Sequence, residues 1–129
     1  MILDTSVFIA IIKEEPEAAG FAGLLEATDE LRISAATYLE SSIVLDRMKN
    51  PKLSARLSEI LERAQVIVEP FTAEQAQIAR QAYRDYGRGS GHKANLNFGD
   101  CFSYALARVK REPLLYKGDD FVHTDIRSV

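Results

Sequence analysis

Apolar positions along this chain change period repeatedly, and each change marks an element. Ile2-Leu3 is a short apolar run ending at Asp4, which predicts a strand. Thr5-Ser6 follows, and Val7 to Ile12 then reads as a short buried helix, so the segment has the shape of a strand-to-helix turn. Lys13 to Pro16 is a charged turn. Glu17–Ala27 predicts a second helix, with Ala18, Phe21, Ala22 and Leu25 on one side. After the Thr28-Asp29-Glu30 loop, Leu31–Ser34 predicts a second strand. A helix over Ala35–Lys49 ends where Asn50-Pro51 breaks the chain, and Ser54–Ala64 predicts another amphipathic helix. Val66–Val68 is β-branched and is closed by Glu69-Pro70, as a third strand would be. Thr72 is a plausible N-cap with Gln75 three positions on, as in a capping box, and that helix runs to about Tyr86. Pro113–Tyr116 predicts a fourth strand.

The most apolar helix opens around Asn97-Phe98-Gly99-Asp100. Phe98, Phe102, Ala105, Leu106 and Val109 share one helical face, while Cys101 and Tyr104 cover much of the remainder. A helix apolar nearly all round belongs in the middle of a small protein. Strands alternate with helices throughout, with no internal repeat or domain boundary. The expected fold is therefore a single α/β domain over 1–129, with a short parallel sheet of four or five strands and helices on both faces. Right-handed crossovers would bring the acidic strand ends to one edge of that sheet.

Composition narrows the class. The chain has 129 residues and a net charge of −3. That balance argues against a protein coating nucleic acid with a global basic surface, but not against a nuclease whose acids are offset by bound cations. Cys101 is the only cysteine, so no intrachain disulfide forms, and a reducing, cytoplasmic location is expected. Met1-Ile2-Leu3-Asp4 lacks a positive leader, and no run is long enough to span a membrane.

Acidic residues carry the candidate chemistry. Asp4 at a strand end is either an N-cap or a metal ligand. Glu40 lies in a stripe with Ala36, Ile43, Val44 and Arg47, and is either paired with Arg47 or part of a site. Asp100 is either a carboxylate at a helix N-terminus or a member of the same site. Asp119 and Asp120 leave the fourth strand. Carboxylates held together raise one another's pKa, and a hard divalent cation removes that conflict. Oxygen donors without His or Cys point to Mg²⁺ or Mn²⁺ rather than zinc. Gly87-Arg88-Gly89-Ser90-Gly91-His92-Lys93 lacks the ending of a phosphate-binding P-loop. It reads as a linker, or as a mobile basic loop offering Arg88, His92 and Lys93 to phosphates, with Lys117 beside them. Cys101 has no partner base and is read as a small buried hydrophobe.

Asp4-Thr5-Ser6, Glu40, the run Asn97 to Ala107 (NFGDCFSYALA) and the run Pro113 to Phe121 (PLLYKGDDF) together resemble the PIN-domain ribonucleases, and among them the VapC toxins of VapBC toxin–antitoxin systems. The resemblance spans essentially the whole chain. It implies an Mg²⁺- or Mn²⁺-dependent endoribonuclease, homodimeric and inhibited by a small VapB-like antitoxin. Asp4 and Asp100 match the family's principal metal ligands and Glu40 its third acidic position. Ser6 matches a hydroxyl that bonds among the carboxylates. The fourth acid falls on Asp119 or Asp120. Two other readings compete: an RNA-processing PIN nuclease outside toxin–antitoxin systems, and a phosphoacceptor signalling domain. The latter needs a paired acid after the first strand and an isolated Asp on the middle strand, and the chain has neither.

Overall fold

Ile2 and Leu3 lie on opposite sides of the sheet, and this alternation divides the interior into two cores. A computed structural model describes residues 1–129. Its four strands are β1 (Ile2–Leu3), β2 (Arg32–Ser34), β3 (Ile67–Glu69) and β4 (Leu114–Leu115). They form one parallel sheet in the order β3-β2-β1-β4. The helices are α1 (Thr5–Ile12), α2 (Ala18–Ala27), α3 (Ala35–Asp46), α4 (Pro51–Arg63), α5 (Ala73–Tyr86) and α6 (Asp100–Lys110). Ile2 and Leu114 join α5 and α6 in one core, through Ala79, Ala82, Tyr104, Ala105 and Leu106. Leu3, Ile33 and Leu115 join α1 to α4 in the other, through Val7, Phe8, Leu25, Leu45 and Leu57. Helices thus cover both faces, as the apolar pattern requires.

Capping explains several element boundaries. Asp4 caps α1, accepting from the Ser6 backbone N–H at 3.0 Å, so the helix starts at Thr5 rather than Val7. Asn50 caps α4 through the Lys52 N–H with Pro51 in the first turn, which starts that helix three residues before Ser54. The Val66 N–H is taken by the Leu61 carbonyl, so β3 begins at Ile67. Thr72 caps α5 by accepting from the Gln75 N–H. The Gln75 side chain, however, donates to the Pro70 carbonyl, so the capping box is not reciprocal.

Two helices sit differently from their sequence pattern. In α3 the buried positions are Thr37, Ser41 and Leu45, whereas Leu39 and Ile43 are exposed. Helix α6 begins at Asp100, leaving Phe98 outside it and 75% exposed. The glycine-rich segment is a hydrogen-bonded turn: Arg88 N–H donates to the Leu96 carbonyl and Leu96 N–H to the Tyr86 carbonyl. The His92 ring packs edge-on to Tyr86 at 4.9 Å. The carboxyl-terminal tail bonds alongside β4 through Leu114, covering that edge of the sheet.

Candidate active site

All four strands run the same way, so the segments that leave β1, β2 and β4 emerge at one edge. There Asp4, Glu40, Asp100 and Asp120 line one open cleft of about 550 Å³, together with Thr5, Ser6, Glu15, Asn97 and Lys117. This is the carboxyl edge of a parallel sheet, where open α/β folds bind their ligands.

Each acid is held by a local donor. Asp4 is buried at the end of β1. Its Oδ2 accepts from the Ser6 N–H at 3.0 Å and the Ser6 hydroxyl at 2.7 Å, and its Oδ1 accepts from the Ser103 hydroxyl at 2.6 Å. Capping α1 and belonging to the acidic cluster are thus one arrangement, not alternatives. Ser6 Oγ also accepts from the Lys117 N–H at 2.9 Å, which ties the loop after β4 to the start of α1. Glu40 makes no ion pair with Arg47. Its Oε1 instead accepts from the Thr5 hydroxyl at 2.6 Å, and Thr5 accepts from Ser41 at 3.0 Å. Asp100 and Asn97 bond reciprocally: Asn97 N–H donates to Asp100 Oδ2, and Asp100 N–H donates to Asn97 Oδ1. This closes the first turn of α6 as a capping box does.

Charge in the cleft is one-sided. No Lys, Arg or His pairs with Asp4, Glu40, Asp100, Asp119 or Asp120. Lys117 stands at the cleft, but its Nζ is engaged by Glu15 at 2.5 Å and Glu17 at 3.1 Å. Burial pushes the Asp100 carboxyl up to about 7. The charges of Asp4, Asp120 and Glu40 add to that rise, and the Asn97 N–H opposes it. Burial and the Asp4 charge also raise Glu40, against the Thr5 hydroxyl. The donor set facing the cleft is oxygen only, which suits a hard divalent cation. No three His, Cys, Asp or Glu side chains converge into a ready-made cage. An ion such as Mg²⁺, which keeps several of its waters and takes one or two carboxylates, fits this open arrangement.

Placement separates the remaining sequence candidates. Asp120 lines the cleft and its charge acts on Asp100, whereas Asp119 is exposed and absent from the lining. Arg88, His92 and Lys93 stand on the turn after α5 and do not line the cleft. Burial pushes the Cys101 thiol up to about 12, so it stays protonated and is a poor nucleophile. Sequence reasoning gave no role to Thr5, Thr37, Ser41 or Ser103. Three of them, Thr37, Ser41 and Ser103, are fully buried hydroxyls on helices. Hydroxyls recurring on the inner face of otherwise apolar helices are the signal that could have found them.

Comparison with known proteins identifies the family of the chain. The PIN domain family description matches residues 1–127. Ribonuclease VapC28 of Mycobacterium tuberculosis is 56% identical over 127 residues, covering 98% of this chain and 96% of the relative. Ribonuclease VapC42 of the same species is 49% identical, covering 98% and 97%. Among solved structures, VapC20 of M. tuberculosis, described as a sarcin–ricin loop cleaving toxin, superposes with a TM-score of 0.77 at 21% identity, covering 99% of this chain and 97% of that one. VapBC2 from Rickettsia felis, solved bound to a DNA fragment from its promoter, gives 0.75 at 15% identity, covering 99% and 96%. With the family matched along nearly its whole length and close relatives sharing about half its residues, this chain belongs to the PIN-domain family, in its VapC branch.

Proposed function

We propose that this protein is a divalent-metal-dependent endoribonuclease acting as the toxin of a toxin–antitoxin pair. The observation that carries the reading is the acidic cleft: Asp4, Glu40, Asp100 and Asp120 face one space and none of them is paired with a protein cation, since Lys117 at its rim is engaged by Glu15 and Glu17. Relatives at 49–56% identity that bear the name ribonuclease support RNA as the substrate.

Asp4 and Asp100 are the residues that would hold Mg²⁺ or Mn²⁺, and the ion would supply activation of water and neutralisation of charge on the phosphodiester. The protein's own groups do the rest. Ser6 and Ser103 fix both oxygens of Asp4, so its position is set before any ligand arrives. Asn97 fixes Asp100. Glu40, with its raised affinity for a proton and one oxygen held by Thr5, is the group suited to accept a proton from water in the cleft. Asp120 completes the acidic wall. Lys117 Nζ, at the same cleft, is the cation placed to exchange its Glu15 and Glu17 partners for an RNA phosphate.

Two partners belong to the proposal. A solved neighbour described as a toxin–antitoxin complex from Klebsiella pneumoniae, and VapBC2 of R. felis, support a VapB-like antitoxin. Tyr38, Leu39 and Ile43 on α3 and Phe98 before α6 are large apolar side chains left exposed, which supports a homodimer. No helix is long and apolar enough to cross a membrane.

The test is RNA cleavage by the purified protein with Mg²⁺, with Mn²⁺ and with EDTA, alongside thermal unfolding. Cleavage should require the ion, and wild type should gain about 2.7 kcal/mol at a hundredfold excess over the dissociation constant. Asp4→Asn and Asp100→Asn should lose nearly all cleavage and most of that gain. A wild type indifferent to both ions, with no cleavage, would sink the proposal.

A further inference from the structure

Gly99 precedes Asp100, and its backbone is ordinary, with φ −65° and ψ −37°. Any L-residue adopts that conformation, so the turn does not call for glycine. Space does. A β-carbon on Gly99 would overlap the Glu40 carboxylate, colliding with Oε2 and Cδ and reaching to 2.7 Å of Oε1. Among the seven glycines no other faces a carboxylate in this way. Gly87 would meet Tyr83, and the other five face open space. The Glu40 carboxylate is therefore held on one side, where Thr5 Oγ1 donates to Oε1 at 2.6 Å, and admitted on the other, where the bare Cα of Gly99 leaves room for Oε2.

We propose that Gly99 is a positioning residue for Glu40, setting by its missing side chain where that carboxylate stands beside Asp4 and Asp100. The consequence for RNA rests on the nuclease reading; the steric relationship does not. The obstacle to a side chain at 99 is the end of a flexible Glu, not backbone. Alanine there moves the Glu40 carboxylate and leaves the fold in place, because the backbone at 99 already holds a right-handed helical φ and ψ that alanine adopts without strain.

The experiment compares wild type, Gly99→Ala, Glu40→Ala and the double variant. It reads melting temperature, the ¹³C resonance of the Glu40 carboxyl in metal-free protein at fixed pH, and RNA cleavage with Mg²⁺. Gly99→Ala should melt close to wild type, shift the Glu40 carboxyl resonance and cut cleavage about tenfold or more. In the Glu40→Ala background the same change should cost nothing further, because the two residues act as a unit. An unmoved Glu40 resonance would overturn the inference, and so would an equal loss of cleavage in both backgrounds. If wild type does not cleave RNA at all, the nuclease reading fails, and the Glu40 resonance still decides for or against Gly99.

Discussion

Ser103 Oγ donates to Asp4 Oδ1 at 2.6 Å, joining a residue inside α6 to the end of β1 across 99 positions of sequence. Thr37 Oγ1 stands 3.3 Å behind Ser103, so the bond is backed by a second buried hydroxyl on α3. Helix α3 is thus linked to the end of β1 through the Ser103 hydroxyl of α6.

Removing that donor tests what the bond contributes. Ser103→Ala should cost about 1.5–3 kcal/mol, the range for a hydrogen bond to a charged group. It should also lower cleavage, since Asp4 loses the contact that fixes one oxygen. Urea unfolding of the metal-free protein measures the first effect. A variant as stable and as active as wild type would show that Ser103 only fills space.

Asp100 gives the metal-free protein a pH dependence opposite to ordinary acid denaturation. Its carboxyl is raised from 3.8 to about 7 by burial and then by neighbouring charge, so the folded state binds this proton more tightly than the unfolded state. Its contribution is then most favourable below the unfolded value and is lost as pH rises toward 7, where it levels off. Allowing for partial exposure, the loss is on the order of 2 kcal/mol. Asp100→Asn should flatten that slope and leave metal-free stability near pH 7.5 level with wild type or above it. Unfolding measured from pH 4 to 8 in EDTA checks the sign. An Asp100→Asn protein that is much less stable across that range would mark Asp100 as a structural partner and not as a repelled ligand.

The adjacent acids after β4 should separate in function. Asp120 lines the cleft and Asp119 does not. Asp120→Asn should reduce cleavage by about tenfold or more, and Asp119→Asn by less than about twofold, with both folds intact because both residues are exposed. Equal losses would mean that the loop after Leu115 presents both acids to the cleft.

Leu39 and Ile43 are 58% and 46% exposed on α3, one helical turn apart. A dimer seated on this face should be broken by Leu39→Glu with Ile43→Glu, because two buried charges would lack partners. Sedimentation at micromolar concentration should give a dimer for wild type and a monomer for the double variant. A wild-type monomer would remove the homodimer from the proposal.

Much of this protein is determined locally and is legible along the chain. Ile2-Leu3-Asp4, Leu114-Leu115 and the β-branched third strand specify short parallel strands because each is an apolar run bounded by turn residues. Asp4, Glu40 and Asp100 stand out because acids in apolar surroundings need a reason. Tertiary structure alone decided which face of α3 turns inward, since Thr37, Ser41 and Leu45 compete with an equally spaced apolar stripe that ends up exposed. It also decided that Phe98 lies outside α6, that Asp120 and not Asp119 reaches the cleft, and that the glycine-rich turn stands away from it. The same holds for the hydroxyls of Thr5 and Ser103 and for the empty side of Gly99. A serine or a glycine is unremarkable in sequence, and its meaning comes from the carboxylate that another element brings against it. Periodicity marks the apolar faces an element offers, but a hydrogen bond between positions 4 and 103 exists only once the sheet and both helices have packed.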